Sequence, residues 1–205
     1  AYDMRGHGRT AENAVAKKNG MFGKLADKDG FNRVVKDLYE VTNAVKNVYP
    51  GKKIVLLGHS FGSFVSQAYI EQFGDQIDGV ILSGTAGPRR PLIFFGKIAA
   101  KIVKAVKGND YVSPLLDKLS FGSYNKRIKD PKSKYSWLAA NEMSVSMYEM
   151  DNWCGIPLTT SFFCDMLDGL SSIHKSSNMK KIPEDLPVFF FYGDQDPVGD
   201  YGKTV

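Results

Sequence analysis

The feature that most constrains this chain is an abrupt change of hydrophobic period around one serine. Lys52-Lys53-Ile54-Val55-Leu56-Leu57-Gly58 is a short apolar run after Pro50-Gly51, too brief and too β-branched for a helix of its own, so it reads as a buried strand. From Phe61 to Phe73 the apolar residues Phe64, Val65, Ala68, Tyr69 and Phe73 recur at helical spacing, and Gly74 stands where a helix stops. Gly58-His59-Ser60-Phe61-Gly62 joins the two, so the backbone must pass from strand to helix in a single tight turn. The glycines on either side of Ser60 are expected to leave room for strand and helix to approach without side-chain collision.

The same alternation recurs along the chain. Asp78-Gly79-Val80-Ile81-Leu82-Ser83 and Pro187-Val188-Phe189-Phe190-Phe191-Tyr192-Gly193 read as second and third buried strands, and strands alternating with helices imply a parallel sheet. Upstream, Asp29 or Asp27 is placed to cap a helix whose residues Phe31, Val34, Val35, Leu38, Val41, Val45 and Val48 fall on one side. Tyr2-Asp3-Met4-Arg5-Gly6-His7-Gly8-Arg9 reads as the end of a strand opening into a glycine loop. The chain is therefore expected to start inside a sheet.

Between the second and third strands lie roughly one hundred residues, where a parallel crossover needs roughly a dozen. The expected organisation is a core over 1–87, an inserted helical cap over 88–180, and the core resumed over 181–205. Within the cap, Pro91 to Lys107 puts Lys97, Lys101, Lys104 and Lys107 on one arc, with Ile98, Ile102, Val103 and Val106 largely away from it. Two readings stay open for this segment: a lid helix packed on the core with solvated lysines, or a helix making transient contact with an anionic membrane surface.

Gly58-His59-Ser60-Phe61-Gly62 fits the Gly-x-Ser-x-Gly nucleophile elbow, in which a strained strand-to-helix turn lifts a serine hydroxyl above the sheet. Ser60 is then the nucleophile. The backbone N–H of Phe61, at the positive end of the following helix, is one oxyanion donor, and the second is expected from an earlier strand-to-helix loop. In this arrangement the acid follows the serine. Asp196, in Gly193-Asp194-Gln195-Asp196-Pro197-Val198, is preferred over Asp194, which has the alternative role of bonding turn amides. The chain has 3 histidines, and none follows Asp196. His59 lies inside the tight turn, His7 sits in a glycine-flanked loop, and His174 falls in a polar segment. All three read as bracing or packing residues, so the base is expected downstream of Val205, and this piece on its own is expected to be inactive.

These residues resemble the α/β-hydrolase superfamily, in the branch of monoacylglycerol lipases, bacterial lysophospholipases and proteins labelled serine aminopeptidase S33. Asp3-Met4-Arg5-Gly6-His7-Gly8-Arg9 is similar to the family's Asp-x-Arg-Gly-His-Gly loop, Gly58 to Gly62 to its Gly-His-Ser-x-Gly elbow, and Gly193 to Asp196 to its Gly-x-x-Asp acid turn. Ser120-Phe121-Gly122-Ser123-Tyr124-Asn125 and Asp151-Asn152-Trp153-Cys154-Gly155 resemble cap segments of the lysophospholipase-like members. The resemblance implies an α/β fold with a mostly parallel sheet, helices on both faces and an inserted helical cap, here incomplete at both ends. It implies acylation of Ser60, orientation of a histidine by Asp196, and no metal or organic cofactor.

The expected activity is hydrolysis of a small-molecule acyl ester, with a monoacylglycerol or lysophospholipid favoured because a long acyl chain needs an apolar tunnel. Two rivals remain. An aminopeptidase of the same family would want acidic groups such as Glu142, Glu149 and Asp151 at the cap. A non-catalytic binding protein would keep the fold without the base.

Composition narrows the remaining classes. The 27 Lys and Arg exceed the 22 Asp and Glu by the formal charge of +5, but the basic residues are dispersed along helical patterns, so nucleic acid is not an expected partner. No run is apolar enough to span a bilayer. The 2 cysteines form neither a disulfide framework nor a metal-ligand pattern and read as free thiols, which suits a cytoplasmic location.

Overall fold

The computed structural model describes residues 1–205. Three parallel strands, β1 (Val55–His59), β2 (Gly79–Ser83) and β3 (Val188–Phe191), form one sheet in the order β1-β2-β3. Leu57 pairs with Ile81, and Ile81 with Phe189, so the strands are in step along their length. Eight helices surround the sheet: α1 (Gly8–Ala16), α2 (Gly30–Val48), α3 (Phe61–Phe73), α4 (Arg90–Lys107), α5 (Pro114–Phe121), α6 (Glu142–Met150), α7 (Thr160–Ser172) and α8 (Ser176–Met179). None is long and apolar enough to cross a membrane.

The core forms where α3 lies on β1 and β2, with α2 and α7 alongside it. Val65, Ala68 and Tyr69 of α3 meet Val80 and Leu82 of β2, Val34, Val35 and Leu38 of α2, and Phe162 of α7. Each large side chain fully buried here is worth about 1.5–3 kcal/mol, which is why the stripe read from α2 and α3 selects this face. A smaller cluster of Ala100, Leu116 and Phe163 joins α4 and α5 to the other side of α7. The helix α7 is held at its start by Thr159, whose hydroxyl donates to the Gly23 carbonyl at 2.7 Å and accepts from the Phe162 N–H at 3.2 Å.

Several local expectations are corrected. Tyr2 to Met4 is not a strand: no strand lies beside it to complete a ladder. Instead Asp3 caps α1, its carboxylate accepting from the Arg9 N–H at 3.0 Å and its carbonyl from the Thr10 hydroxyl at 2.6 Å. Neither Asp29 nor Asp27 caps α2. Asp29 stands at the N-cap position with a left-handed φ of 52°, and its carboxylate accepts from the Asn32 amide, while Asp27 pairs with Lys24 at 2.8 Å.

The strands are also less buried than their composition suggests. On β1, Val55 and Leu57 are exposed, and on β3 all four residues are, with Phe189 and Phe191 each 62% exposed. Helices α2, α3 and α7 cover one face, β3 is a sheet edge, and Val55, Leu57, Phe189 and Phe191 line the face that α3 does not cover.

Helix α4 packs on α7 with Lys101, Lys104 and Lys107 exposed, but the apolar residues it buries differ from the arc read in the sequence. Its buried stripe is Ile93, Gly96, Ala100 and Val103, packed on α7, with Gly96 set against Leu167. Lys97 turns toward α7 and pairs with Asp168 at 2.5 Å, while its ammonium also donates to Ser171 at 3.2 Å. Phe94, Phe95, Ile98, Ile102 and Val106 are left facing solvent. Small residues at Gly96 and Ala100 allow close approach to α7, and that approach excludes the larger apolar arc.

Candidate active site

The turn between β1 and α3 is a strained and restrained stretch of backbone. Ser60 has φ 51° and ψ −120°, a conformation that L-residues avoid and that persists only when its surroundings enforce it. Here both backbone groups of the residue are tied down. Its N–H donates to the Ser83 carbonyl at 2.9 Å, and its carbonyl accepts from the Ser63 N–H at 2.8 Å and the Ser63 hydroxyl at 2.6 Å. Its side-chain hydroxyl makes no hydrogen bond within the chain and is partly exposed, so a restrained backbone presents an uncommitted oxygen.

Gly58 and Gly62 are unequal. A Cβ on Gly58 would strike the Ser66 hydroxyl and the Gly62 carbonyl, which lie against the strand, whereas a Cβ on Gly62 would meet nothing. The expected glycine requirement therefore holds at Gly58 alone; Gly62 contributes its carbonyl to the crowding, not a missing side chain.

Phe61 opens α3, so its N–H has no carbonyl four residues back within the helix and remains free beside Ser60. Its ring is wedged between Phe162 at 5.1 Å and Phe31 at 6.0 Å, which fixes the first turn of α3 against α2 and α7. The peptide whose N–H is the candidate oxyanion donor is thus anchored by its own side chain.

The tips of the three strands are laced together. The Ser60 N–H bonds to Ser83 at the end of β2, and the Gly84 N–H donates to Phe191 at the end of β3 at 2.8 Å. The Asp196 turn follows β3 directly: the Asp196 N–H donates to Gly193 at 3.1 Å, and Asp196 Oδ1 accepts from the Val198 N–H at 2.9 Å. Its other oxygen, Oδ2, lies 3.2 Å from where a Cβ on Gly84 would stand, so it points back over the end of β2. Asp194 is exposed and meets only the side chain of Gln195. Of the two carboxylates, Asp196 is the one held toward the row of strand ends that carries Ser60.

None of the three histidines hydrogen-bonds Ser60 or Asp196. His59 is exposed, with Nδ1 3.0 Å from the Ser83 hydroxyl and its ring against Gly84. His7 has Nδ1 3.1 Å from the Arg5 carbonyl and its ring 6.0 Å from Phe162, and burial pushes its pKa down, which favours the neutral ring. His174 lies half-buried with Arg90, Phe94 and Ser171 around one cleft, and burial likewise lowers its pKa. No group of three or more His, Cys, Asp or Glu side chains is placed to hold a metal ion. Cys154 and Cys164 are free thiols.

Residues between the strands reach the same region. Burial raises the Tyr124 phenol, with the Arg89 charge opposing that shift and the Asp196 charge adding to it. The Arg127 guanidinium lies 3.5 Å over the Tyr201 ring, just past Asp196. Glu142, Glu149 and Asp151 are all exposed at or beside α6.

Sequence reasoning missed the support beneath the turn. The Ser63 hydroxyl holds the Ser60 carbonyl, Ser63 and Thr85 are in hydrogen-bond contact at 2.9 Å, and the Gln67 amide donates to Thr85 at 2.9 Å. The spacing of Ser63 and Gln67 along one face of α3 was the available signal, but the partner Thr85 lies in the loop after β2 and only the fold supplies it.

Comparisons with known proteins bear on the family and the fold. A family model described as serine aminopeptidase, S33, matches residues 1–205. A thermostable carboxyl esterase from Bacillus coagulans is similar in structure, with a TM-score of 0.86 and 26% identity over 98% of this chain and 63% of the esterase. A lipase in its open form gives 0.83 and 24% identity over 98% of this chain and 64% of the lipase. A soluble variant of monoglyceride lipase from Saccharomyces cerevisiae gives 0.59 and 19% over 97% of this chain and 59% of that one, which is a likeness of fold. The chain thus spans under two thirds of each of these structures. No curated protein sequence matches it.

Proposed function

The chain belongs to the serine aminopeptidase S33 family of α/β-hydrolases, and on that premise we propose that it carries the nucleophile, one oxyanion donor and the acid of a serine ester hydrolase. The observation that carries this reading is Ser60 itself: a left-handed, doubly hydrogen-bonded backbone with a free hydroxyl, next to the unbonded Phe61 N–H at the positive end of α3.

In the proposed reaction Ser60 Oγ attacks the ester carbonyl and gives its proton to an imidazole. The carbonyl oxygen takes on charge beside the Phe61 N–H, and the imidazole passes the proton to the leaving alcohol. Water then splits the acyl-Ser60 ester, releasing a carboxylic acid. Asp196 orients that imidazole. Ser60 and Asp196 follow strands two spacings apart, roughly 10 Å, which is the scale of a hydroxyl, an imidazole and a carboxylate in hydrogen-bonded series. His7 and His59 are hydrogen-bonded to other groups, and His174 lines a cleft beside α4 with both ring nitrogens buried and unpartnered, so the imidazole would come from outside these 205 residues, and the chain alone would turn over poorly.

The substrate is proposed to be an ester with an apolar acyl chain, a monoacylglycerol or lysophospholipid, delivered from a lipid surface to a cap over 88–180. The outward arc of Phe94, Phe95, Ile98, Ile102 and Val106 beside Lys101 and Lys104 supports this, as does the esterase identity of the Bacillus coagulans neighbour. The family's own description favours a second reading, cleavage of aminoacyl substrates with Glu142, Glu149 or Asp151 receiving the amino terminus. Faster turnover of an aminoacyl anilide than of a long-chain ester would favour that reading.

The direct test is a fluorescent fluorophosphonate, with mass mapping of labelled serines, on this chain with and without added imidazole and on a form extended to the end of its reading frame. Labelling of Ser60 that rises with imidazole or in the extended form is expected, and Ser60→Ala abolishes it. Labelling of a different serine, or none in any form, overturns the proposal.

A further inference from the structure

At the far end of α3 from Ser60, roughly 16 Å along the helix axis, lies a separate polar cleft of about 350 Å³. Its walls come from three sequence regions: Asp29 before α2 with Lys36 on it, Glu71 and Gln72 on α3, and Asn178 with Lys181 in and after α8; the Asp29 carboxylate accepts from the Asn32 amide. Glu71 is the unusual member. It is 6% exposed, makes no hydrogen bond and no ion pair, and still lines the cleft. Unlike the Asp165 and His174 polar atoms, its carboxylate oxygens are not sealed from solvent, so they open onto the cleft, where an entering cation would offset the desolvation of the side chain.

The remaining groups show what the partner would be. Lys36 and Lys181 both line the cleft; Lys181, whose charge acts on Glu71, has only a 3.5 Å contact with the Asn178 amide oxygen, and Lys36 makes no hydrogen bond or ion pair. The Gln72 amide donates to the Ala68 carbonyl at 3.2 Å, which leaves its oxygen as an acceptor. The cleft therefore offers acceptors on α3 and cationic donors on its rims. An anion alone would be repelled by Glu71, an amine alone by the two lysines. A molecule with both charges a few bonds apart satisfies both sides.

We propose that this cleft binds a small zwitterion, its primary ammonium received by Glu71 and Gln72 and its phosphate by Lys36 and Lys181. The site shares no residue with the Ser60 turn, so the proposal stands apart from the ester hydrolase reading.

Titration calorimetry of the chain with O-phosphoethanolamine, ethanolamine and inorganic phosphate tests it. The zwitterion is expected to bind one per chain and at least tenfold more tightly than either half. Glu71→Gln and Lys181→Met each weaken it at least tenfold, while Lys126→Met, remote from the cleft, leaves it unchanged. Because an amide at position 71 removes a buried charge, the Glu71→Gln protein should melt no lower than the parent, which separates loss of binding from loss of fold. A carboxyl-carbon NMR titration of Glu71 should move to lower pH when O-phosphoethanolamine is bound. No heat at millimolar zwitterion, inorganic phosphate binding as tightly as the zwitterion, or binding unaltered by Glu71→Gln would each overturn the proposal.

Discussion

The hydroxyl of Ser63 donates to the carbonyl oxygen of Ser60 at 2.6 Å, so the turn that carries the candidate nucleophile is held from within by a side chain one helical turn further on. A serine has one proton to give. With it on Ser60, Thr85 is left to supply the proton of its 2.9 Å contact with Ser63. Ser63 is fully buried, and Ser63→Ala removes one of the two donors to the Ser60 carbonyl and takes from Thr85 the acceptor of its proton. The variant should lose about 1–2 kcal/mol in urea unfolding and should label more slowly with fluorophosphonate at Ser60. Unchanged stability and labelling would show that the turn does not depend on this bond.

Gly58 and Gly62 should respond in opposite directions. Gly58→Ala drives a methyl group into the Ser66 hydroxyl and the Gly62 carbonyl and should cost about 1–3 kcal/mol. Gly62→Ala enters open space in the first turn of α3 and should be neutral or stabilise by up to about 1 kcal/mol. Urea midpoints of the two variants, measured side by side, decide it.

Stability should fall as pH rises toward neutrality because of Glu71 and Asp165. Burial pushes Glu71 up to about 7 from 4.5 and Asp165 up to about 6 from 3.8, with Lys181 opposing the first shift and Lys104 the second. In both cases the folded chain holds its proton where the unfolded chain has released it. The stabilising contribution is therefore complete below the unfolded values and is lost as pH rises through about 6 and about 7. Glu71→Gln should flatten the upper part of the profile, as read from urea midpoints between pH 4.5 and 8. The lowered pKa values of His7 and His174 act in the opposite sense in both proteins, so the difference between parent and Glu71→Gln decides it, and a difference that stays constant from pH 4.5 to 8 contradicts the assignment.

The outward arc of α4 should bind anionic lipid vesicles. Ile98 and Ile102 are both exposed on it, with Lys101 between them. Replacing both isoleucines with aspartate should lower partition into anionic vesicles at least tenfold in co-sedimentation, since each buried apolar side chain is worth roughly 1.5–3 kcal/mol. Raising salt on the parent should weaken binding only in part. No binding by the parent at low salt removes the surface role.

What could be read from the sequence was whatever depends on near neighbours. The strand before Ser60, the helix from Phe61 to Phe73 and the second and third strands all carry their period within a few residues, and all four elements stand where expected. Choices made by distant partners were hidden. Helix α4 has one apolar stripe through Ile93, Ala100 and Val103 and another through Phe95, Ile98 and Ile102. Only the docking of α7 against Gly96 determines which is buried. Likewise the Tyr2 to Arg9 segment has the look of a strand running into a loop, whereas the structure has no strand over Tyr2 to Met4 and starts α1 at Gly8, where the Asp3 carboxylate accepts from the Arg9 N–H. Glu71 gave no signal at all, because a carboxylate on an amphipathic helix reads as solvated until α2 and α8 close over it.

Two main-chain hydrogen bonds, Ser60 to Ser83 and Gly84 to Phe191, join strand tips that are separated by a long excursion of the chain. Because neither bond involves a side chain, amino-acid replacements in the helices between β2 and β3 leave them in place. The excursion can change length, shape and surface character while the spacing between Ser60 and the Asp196 turn stays constant. Such a frame lets the choice of molecule drift independently of the apparatus that would act on it.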